Sequence, residues 1–365
     1  MIPFRARNAA VRHRGRAQVR LRGGTLIWAL LGLAGCQGAQ PLPSEVITEQ
    51  WELLGVELAK TWDENTIRPG WIVSWEFPKQ ELRRIASKRL PAPDGWEPVR
   101  CVQLAYNEGA GLVAVGAYRN IYGDETNLQE TRGFFQDVWV HDLQTSKSKW
   151  IARKRWRTVS FFAWSPDGKK LTFMATELEM QGTTRSGSVY VYDIATGGLV
   201  QLADDAAILS IHLAGCPPPP TWNEDGTHLY YVSISGDVGR IEMNTLKKEI
   251  LPIHASRVVT VRGAEIVYVT EHIPKWEPMG GAQVIKRELD ARPGTPEAQG
   301  VLLYTGCELG QTLASPSRRF ILLGDRRDYY GGGTVLIDIE KEDYSFVDRY
   351  LPVSRDWGEV YAGQP

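Results

Sequence analysis

Short apolar runs separated by compact polar turns recur along the chain. In the clearest example, the apolar residues 161–164 and 171–173 flank a Ser-Pro-Asp-Gly turn. Pro166 presets the backbone for the second position of a type I turn, Asp167 tolerates the third position, and Gly168 suits the fourth. Apolar strands on both sides of such a turn predict a β-hairpin.

A second recurring pattern is an apolar strand that ends in an acidic residue before a turn. It is clear at 138–143, 189–194 and 334–339, and weaker at 72–77, 240–243 and 285–289. The six acids are Glu76, Asp142, Asp193, Glu242, Glu288 and Asp338. A carboxylate at such a position accepts hydrogen bonds from the amides of the turn. Their spacing of 46 to 66 residues predicts six structural units.

Copies of the hairpin precede most of these acids, and helix signals are almost absent. The copies lie near Asn107, Asn223 and Ser315, with the weakest near Gly263 and no clear copy in the first unit. Repeated four-stranded units of this length are typical of a β-propeller. We therefore predict an all-β fold, a six-bladed β-propeller of four-stranded antiparallel blades. We expect the chain termini to close the ring, through either 51–58 or 357–361.

The third unit carries a family resemblance. Residues 162–171 read Phe-x-Trp-Ser-Pro-Asp-Gly-Lys-x-Leu, and residues 189–197 read Val-Tyr-Val-Tyr-Asp-Ile-Ala-Thr-Gly. Together they resemble the repeat of the TolB-type propellers, a WD-like Pro-Asp repeat family, over roughly 100–347. The resemblance implies a six-bladed periplasmic domain. The chain lacks the pattern of the α/β domain that precedes the propeller in TolB itself, so we do not carry over that protein's partner-binding arm or its complex.

The first 35 residues have the pattern of a bacterial lipoprotein signal peptide. Seven arginines and no acids precede the apolar run 26–34, which ends in Leu-Ala-Gly before Cys36. That tetrapeptide resembles a lipobox, which implies cleavage before Cys36 and lipidation of its thiol. The alternative is an ordinary secretory signal peptide that happens to contain a cysteine. We expect residues 36–50 to form a lipidated tether and residues 51–365 to form the propeller.

Removing the leader makes the chain acidic. The remainder carries 35 lysines and arginines against 43 acids, a net charge of −8. Such a balance disfavours nucleic acid and nonspecific attraction to anionic lipid, so the lipid anchor is the predicted membrane contact. Gln37, rather than Asp, after the cysteine resembles the outer-membrane default of Gram-negative sorting. We expect a lipid-anchored outer-membrane protein, either periplasmic or surface-exposed.

No catalytic residue, metal site or cofactor is predicted. The chain has no zinc-binding histidine spacing and no Gly-x-Ser-x-Gly motif, and Glu271 with His272 is the best remaining acid/base pair. Three cysteines, Cys101, Cys216 and Cys307, follow Cys36. They allow at most one internal disulfide bridge.

Candidate partner-binding residues lie in irregular segments. Trp276 stands between two prolines, and Tyr329 and Tyr330 precede three glycines. A basic run interleaved with tryptophan contains Arg153, Arg155 and Arg157. The run could meet an acidic glycan or a carboxylate-rich partner, or it could be a solvated strand edge protected by charge. Trp164 and Trp222 occupy equivalent repeat positions, which favours packing between blades.

The predicted function is protein or peptide binding, or scaffolding, by a lipid-anchored cell-envelope propeller. The alternative is an enzyme, a lyase or hydrolase, that acts on envelope polysaccharide through a site at the channel mouth. Bound metal or converging carboxylates near His272 would favour the alternative.

Overall fold

The computed structural model describes most of the segment that follows the tether. The described residues are 51–60, 67–77, 81–87, 90–96, 101–107, 109–120, 134–152, 156–160, 162–177, 186–208, 219–272, 281–306, 309–315, 317–325, 333–347 and 361–362. All of them belong to the unit Ala39–Pro365. Cys36 and the leader lie outside the described residues.

Almost all the regular structure in these residues is β-strand. In chain order the strands are β1 (Trp51–Lys60), β2 (Ile67–Phe77), β3 (Glu81–Ser87), β4 (Cys101–Asn107), β5 (Leu112–Asn120), β6 (Phe134–Asp142), β7 (Lys147–Trp150), β8 (Trp156–Val159), β9 (Ala163–Trp164), β10 (Lys170–Glu177), β11 (Ser186–Asp193), β12 (Leu199–Ala207), β13 (Thr221–Trp222), β14 (His228–Val232), β15 (Asp237–Glu242), β16 (Lys248–His254), β17 (Arg257–Arg262), β18 (Glu265–His272), β19 (Gly281–Glu288), β20 (Val301–Gly306), β21 (Leu309–Ala314), β22 (Phe320–Asp325), β23 (Gly333–Asp338), β24 (Asp343–Val347) and β25 (Tyr361–Ala362). One short helix, α1, spans Pro296–Gln299. The all-β prediction is confirmed.

The strands form antiparallel sheets that mostly contain four members. Three sheets run in chain order, β13 to β16, β17 to β20 and β21 to β24, and a fourth has the order β25-β1-β2-β3. The fifth has nine strands. Within it, β8 and β9 both pair with β10, and β8 meets β6 through the single pair Gln136↔Trp156. It therefore consists of two four-stranded groups, β4 to β7 and β8 to β12, in which β8 and β9 share the first position.

The first sheet joins the two ends of the described chain. Leu53 and Leu54 of β1 pair with Ala362 and Tyr361 of β25. Both segments that were expected near the ring closure, 51–58 and the tail, therefore contribute to one sheet. The tail strand begins at Tyr361, the last residue of the expected range 357–361.

The predicted acids all lie in third strands, at or next to their final residue: β2, β6, β11, β15, β19 and β23. Asp142 Oδ1 accepts hydrogen bonds from the backbone amides of Gln144 and Thr145, at 2.8 and 3.0 Å. Asp193 Oδ1 accepts one from Thr196 at 2.8 Å. The amide bonds from Thr145 and Thr196 hold the pKa of these two carboxyls below its usual range. The expected role of the acids is confirmed at these turns.

The Ser-Pro-Asp-Gly segment forms the predicted tight turn. The Gly168 amide donates to the Ser165 carbonyl at 2.8 Å, and Gly168 has φ +68°, a conformation that glycine adopts without strain. The Ser165 hydroxyl accepts from the Lys170 amide at 2.9 Å and donates to Asp167 at 2.6 Å. These bonds close the hairpin between β9 and β10.

Strand β11 is buried on both faces, each against a different neighbour. In β11, Tyr190 and Tyr192 pack with residues of the β4 to β7 group, whereas Val189 and Val191 pack with residues of the β13 to β16 sheet. Successive side chains of a strand point to opposite faces, so a strand covered on both sides is apolar at every position. Trp164 and Trp222 are buried in these two clusters, as expected for packing residues.

The hairpins between first and second strands meet one another. Asn107, between β4 and β5, donates from Nδ2 to the Gly168 carbonyl at 2.6 Å. A Cβ atom at Gly226, between β13 and β14, would lie 3.4 Å from Pro166. Asn223 and Val261 form a parallel bridge between the next two sheets. The turns thus connect successive sheets at one end.

Replacing Gly168 with alanine tests this contact. Gly168→Ala places a Cβ 2.7 Å from Asn107 Nδ2 and forces alanine to a positive φ. Gly263→Ala is the matched control, because Gly263 has φ +53° but no atom within 4 Å of its added Cβ. We expect Gly263→Ala to lower the free energy of unfolding by about 1 kcal/mol. Gly168→Ala should cost about 1–2 kcal/mol more, through the clash and the weakened hydrogen bond. Equal losses in urea denaturation would contradict the contact.

Candidate functional site

The two ends of the sheets differ in their connections. Because neighbouring strands are antiparallel, the turns that join first to second and third to fourth strands lie at one end. We call this the hairpin end. The connections between second and third strands, and the links from each sheet to the next, lie at the opposite end, which we call the loop end. The distinction follows from the strand order alone.

Long connections mark the loop end. Those between β5 and β6, β10 and β11, β18 and β19, and β22 and β23 comprise residues 121–133, 178–185, 273–280 and 326–332. The hairpin end also has one long connection, 289–300, which contains α1. Long connections on a rigid scaffold are where binding residues concentrate.

The predicted partner-binding residues all map to loop-end positions. Trp276 belongs to 273–280, and Tyr329 and Tyr330 belong to 326–332. Arg153 and Arg155 lie in the link between β7 and β8. These five residues lie outside the described residues, so only their places in the chain order are stated. Arg157, the second residue of β8, is exposed. The sequence patterns singled these residues out separately, and the topology assigns them to one end.

A buried polar group that the sequence did not indicate lies near the loop end, where β6 meets β8. The side chain of Gln136 is fully buried, and neither its amide nitrogen nor its amide oxygen has a hydrogen-bond partner. Beside it, the Trp156 ring packs edge-on against Tyr190, with ring centroids 5.0 Å apart. The Tyr190 hydroxyl donates to Glu177 at 3.2 Å. Glutamine carries no periodic signal, which explains why sequence reasoning missed it.

The loop-end turn between β14 and β15 carries two serines, and Asp237 at the start of β15 and His254 at the end of β16 lie beside it. The hydroxyls of Ser233 and Ser235 lie 2.8 Å apart, and Ser235 donates to Asp237 at 2.8 Å. His254 Nδ1 lies 3.5 Å from Asp237, and its side chain is 74% exposed. A catalytic triad needs the histidine between the hydroxyl and the carboxylate. Here the carboxylate lies in the middle, so the arrangement stabilises the turn and does not activate a serine.

At the hairpin end, Arg318 replaces the glycine of the repeated turn and adopts φ +61°. Its Nη1 donates to the carbonyls of Trp222 and Val261 at 2.5 and 2.9 Å, and its Nη2 donates to that of Asn223 at 3.1 Å. Burial lowers the pKa of Arg318, which otherwise remains a strong base. One side chain therefore satisfies three backbone acceptors of two neighbouring sheets.

Histidine and metal chemistry receive no support within the described ranges. There, no group of three or more His, Cys, Asp or Glu residues could hold a metal ion. His141 is buried, with Nδ1 2.9 Å from the Ser148 hydroxyl, which donates to the Pro91 carbonyl at 2.5 Å. The side chains of Glu271 and His272 lie outside the described part, as do Cys216 and Cys307, while Cys101 begins β4.

The described residues of the basic run lie mainly on two strands, β7 and β8. Lys147 and Lys149 are exposed on β7, which pairs only with β6 in the described structure. Lys149 Nζ lies 6.0 Å from the ring centroid of Tyr192 on the adjacent group. Lysines on an outer strand discourage pairing with a foreign strand. This placement agrees with the edge-protection interpretation of the run.

In the part of the chain that the structure describes, no helix is long and apolar enough to cross a bilayer.

Comparisons with known proteins identify the fold. No protein-family model and no curated protein sequence matches the chain. Among solved structures, the chain is similar to TolB from Acinetobacter baumannii, with a TM-score of 0.54 and 14% identity over 86% of this chain and 66% of that one. It is also similar to the tricorn protease, with a TM-score of 0.51 and 10% identity over 80% of this chain and 30% of that one. A chain of a nidogen/laminin complex gives a TM-score of 0.50 and 11% identity over 86% and 98%.

These similarities and the antiparallel four-stranded sheets establish a β-propeller fold. The identities are too low to transfer an activity. The chain spans just under two thirds of the TolB chain and less than a third of the tricorn chain. Any function must therefore be argued from this chain's own residues.

The role of Arg318 can be tested by removing its charge. Arg318→Met removes the guanidinium donor from three backbone carbonyls, of which that of Asn223 also accepts from the Gly226 amide at 3.3 Å. We expect the free energy of unfolding to fall by about 2–4 kcal/mol. Arg262→Met is the control, because Arg262 makes a partly exposed ion pair with Glu340 at 2.7 Å. The control should lose no more than about 1 kcal/mol. If urea denaturation gives similar losses for both variants, Arg318 does not connect the sheets.

Proposed function

We propose that this protein is a lipid-anchored, six-bladed β-propeller of the cell envelope that binds a protein or a peptide segment at its loop end. The observation that carries the proposal is topological. Five of the six chosen residues, Trp276, Tyr329, Tyr330, Arg153 and Arg155, belong to connections at the loop end, and Arg157 lies at the start of β8 beside one of them. Aromatic and arginine side chains are the residues that most often dominate protein–protein binding.

Contacts between first strands support six blades in a closed ring. Strand β4 contacts β9, β13 contacts β17, and β17 contacts β21. The tail strand β25 contacts both β21 and β4, which belong to the last and the second groups along the chain. The remaining step, from β9 to β13, is made by Pro166 beside Gly226. A ring of six four-stranded blades, closed by β25 and β1, accounts for every one of these contacts.

The hairpin end is less suited to recognition. Side chains of the protein already donate hydrogen bonds to backbone carbonyls at this end. Asn107 donates to the carbonyl of Gly168, and Arg318 donates to the carbonyl of Trp222. A ligand there would have to displace these bonds. The loop end carries longer connections and the exposed Arg157, so a partner can bind without breaking contacts between the sheets.

The proposed location rests on the leader. Its basic region, apolar run and Cys36 occur in the order that a lipoprotein signal peptide requires. We propose outer-membrane attachment through Cys36, with the propeller on the periplasmic or the surface side. Acidic glycan remains a second candidate ligand for the basic run. We do not propose a polysaccharide-acting enzyme, because no arrangement in the described residues favours one.

Ring closure predicts a role for the end of the chain. Deleting residues 361–365 removes β25, which pairs with β1 and contacts β4 and β21. We expect the melting temperature to fall by several degrees, because each kcal/mol lost lowers it by about 2–4 °C in domains of about 150–250 residues. An unchanged melting temperature would contradict closure by β25.

Partner capture tests the function. The anchored protein, expressed from the full chain so that Cys36 can be lipidated, is used to capture proteins from detergent-solubilised membranes of the native host. We expect one protein in stoichiometric amount. Recovery should fall by about tenfold when Trp276, Tyr329 and Tyr330 are all replaced by alanine, because aromatic anchors carry much of such binding energy.

Leu246→Ala provides the control, because Leu246 is 50% exposed in a third-to-fourth turn at the hairpin end. It should leave recovery unchanged. Equal recovery with the triple variant would argue against the loop end, and copurified glycan in place of protein would favour the other ligand. Membrane fractionation of Cys36→Ser tests the anchor separately: continued membrane association of this variant would refute lipid attachment.

A further inference from the structure

The shortest connection between a second and a third strand presents an exposed isoleucine at the loop end. Residues 233–236 join β14 to β15, whereas the other connections of this kind have six to thirteen residues. Ile234 is 54% exposed. Tight turns are usually built from glycine, proline, asparagine, aspartate and serine, so turn chemistry does not account for an isoleucine here. We call residues 233–237, with Asp204 and His254 beside them, the short turn.

Hydrogen bonds fix the short turn to the segments on either side of it. The Ile234 amide donates to the carbonyl of Asp205 on β12 of the preceding sheet, at 2.7 Å. The Ala255 amide, just after β16, donates to the carbonyl of Gly236 at 2.8 Å, and the Gly236 amide donates to that of Ser233 at 2.9 Å. A side chain on a backbone held in this way loses little conformational entropy when a partner covers it. Ile234 is therefore preorganised as an apolar contact.

The ring of His254 lies directly against the turn. Gly236 has φ +86°, and a Cβ atom on it would lie 2.3 Å from His254 Cε1. The glycine thus lets the ring pack on the backbone of the turn, while 74% of the His254 side chain stays exposed. The short turn therefore offers an aliphatic side chain and an aromatic ring on one rigid support.

The charge beside the turn is negative. Lys248 Nζ lies 3.0 Å from Asp205 and neutralises it. Asp204 is exposed and forms no ion pair with any residue that the structure describes. Burial, the hydrogen bond to Asp205 and the charges of Asp205 and Asp204 all raise the pKa of Tyr231, the residue of β14 that lies beneath them. The uncompensated charge of Asp204 is complementary to a lysine or an arginine.

We propose that the short turn is a contact point for the partner at the loop end, and that it binds a protein segment with an apolar side chain next to a lysine or an arginine. The apolar side chain packs on Ile234 and His254, and the basic side chain pairs with Asp204. A glycan offers no apolar side chain for Ile234, and Asp204 repels an anionic lipid surface. Because the short turn belongs to the loop end, this proposal rests on the function proposed above.

Peptide selection tests the proposal. A phage library of random dodecapeptides is selected on the detergent-solubilised full chain and counter-selected on Ile234→Ala. We expect sequences with an apolar residue next to a basic one. A synthetic peptide of the selected sequence should bind Ile234→Ala about tenfold more weakly than the unmodified protein in fluorescence anisotropy, because the apolar surface that it covers is lost.

The charge contact is tested with the same peptide. Asp204→Asn should weaken binding by about two- to fivefold, as expected for an exposed ion pair. This loss should disappear when norleucine replaces the basic residue of the peptide, because the pair is then already absent. A loss that persists with the norleucine peptide would overturn the assignment of Asp204.

Two matched controls lie away from the short turn. Val200, near the hairpin end of β12, is 47% exposed, and Glu288 is an exposed acid at the hairpin end of β19. Val200→Ala and Glu288→Gln should leave peptide binding unchanged. Unchanged melting temperatures of all four variants ensure that they are folded.

The outcomes separate this proposal from the function on which it rests. It is overturned if no selected peptide depends on Ile234, or if Val200→Ala weakens binding as much as Ile234→Ala. Peptides that depend on Trp276, Tyr329 and Tyr330 but not on Ile234 would overturn it and leave the proposed function standing. Peptides that respond to none of these changes would count against both.

Discussion

Burial of a sheet between its neighbours, as the β8 to β12 group shows, is the constraint on which the remaining structure depends. A four-stranded antiparallel sheet of this length cannot cover its own apolar faces. In β11 the tyrosines face one neighbouring group and the valines face the other. Since such burial supplies the dominant favourable term in folding, no sheet is expected to be stable alone. Repetition of the unit along the chain is therefore a physical requirement of this fold.

As a result, the connections at the two ends of the sheets are under different structural constraints. At the hairpin end, short turns bring backbone groups of successive sheets close together, and side chains such as Asn107 and Arg318 satisfy them. Arg318 occupies a backbone conformation that favours glycine, and its three hydrogen bonds offset that strain. The loop end makes fewer demands on its connections, so they can lengthen and vary without loss of the core. This asymmetry is the physical basis of the proposal that recognition takes place at the loop end.

The outer strands must also avoid pairing with the strands of other chains. Lysines on β7, aspartates on β12 and a proline on β16 each oppose such pairing. Strands β20 and β24 depart from this rule, because they carry the exposed apolar residues Val301, Leu302, Tyr344 and Phe346 and one charged residue between them. A local departure from an otherwise general rule is more informative than an exposed hydrophobic residue by itself.

The sequence by itself determined the β class, the tight turn at Gly168 and the strand-terminal acids, because these depend on local backbone chemistry and on patterns within a few residues. It also singled out Trp276, Tyr329 and Arg157 as candidate binding residues, but it did not predict that their segments lie at the same end of the sheets. Only the tertiary structure decided that β25 pairs with β1, that Arg318 reaches two other sheets, that Gln136 is buried without a partner, and that Tyr344 and Phe346 remain exposed. These features depend on which distant segments become neighbours, and such contacts arise from packing between sheets, which leaves no periodic signal in the chain.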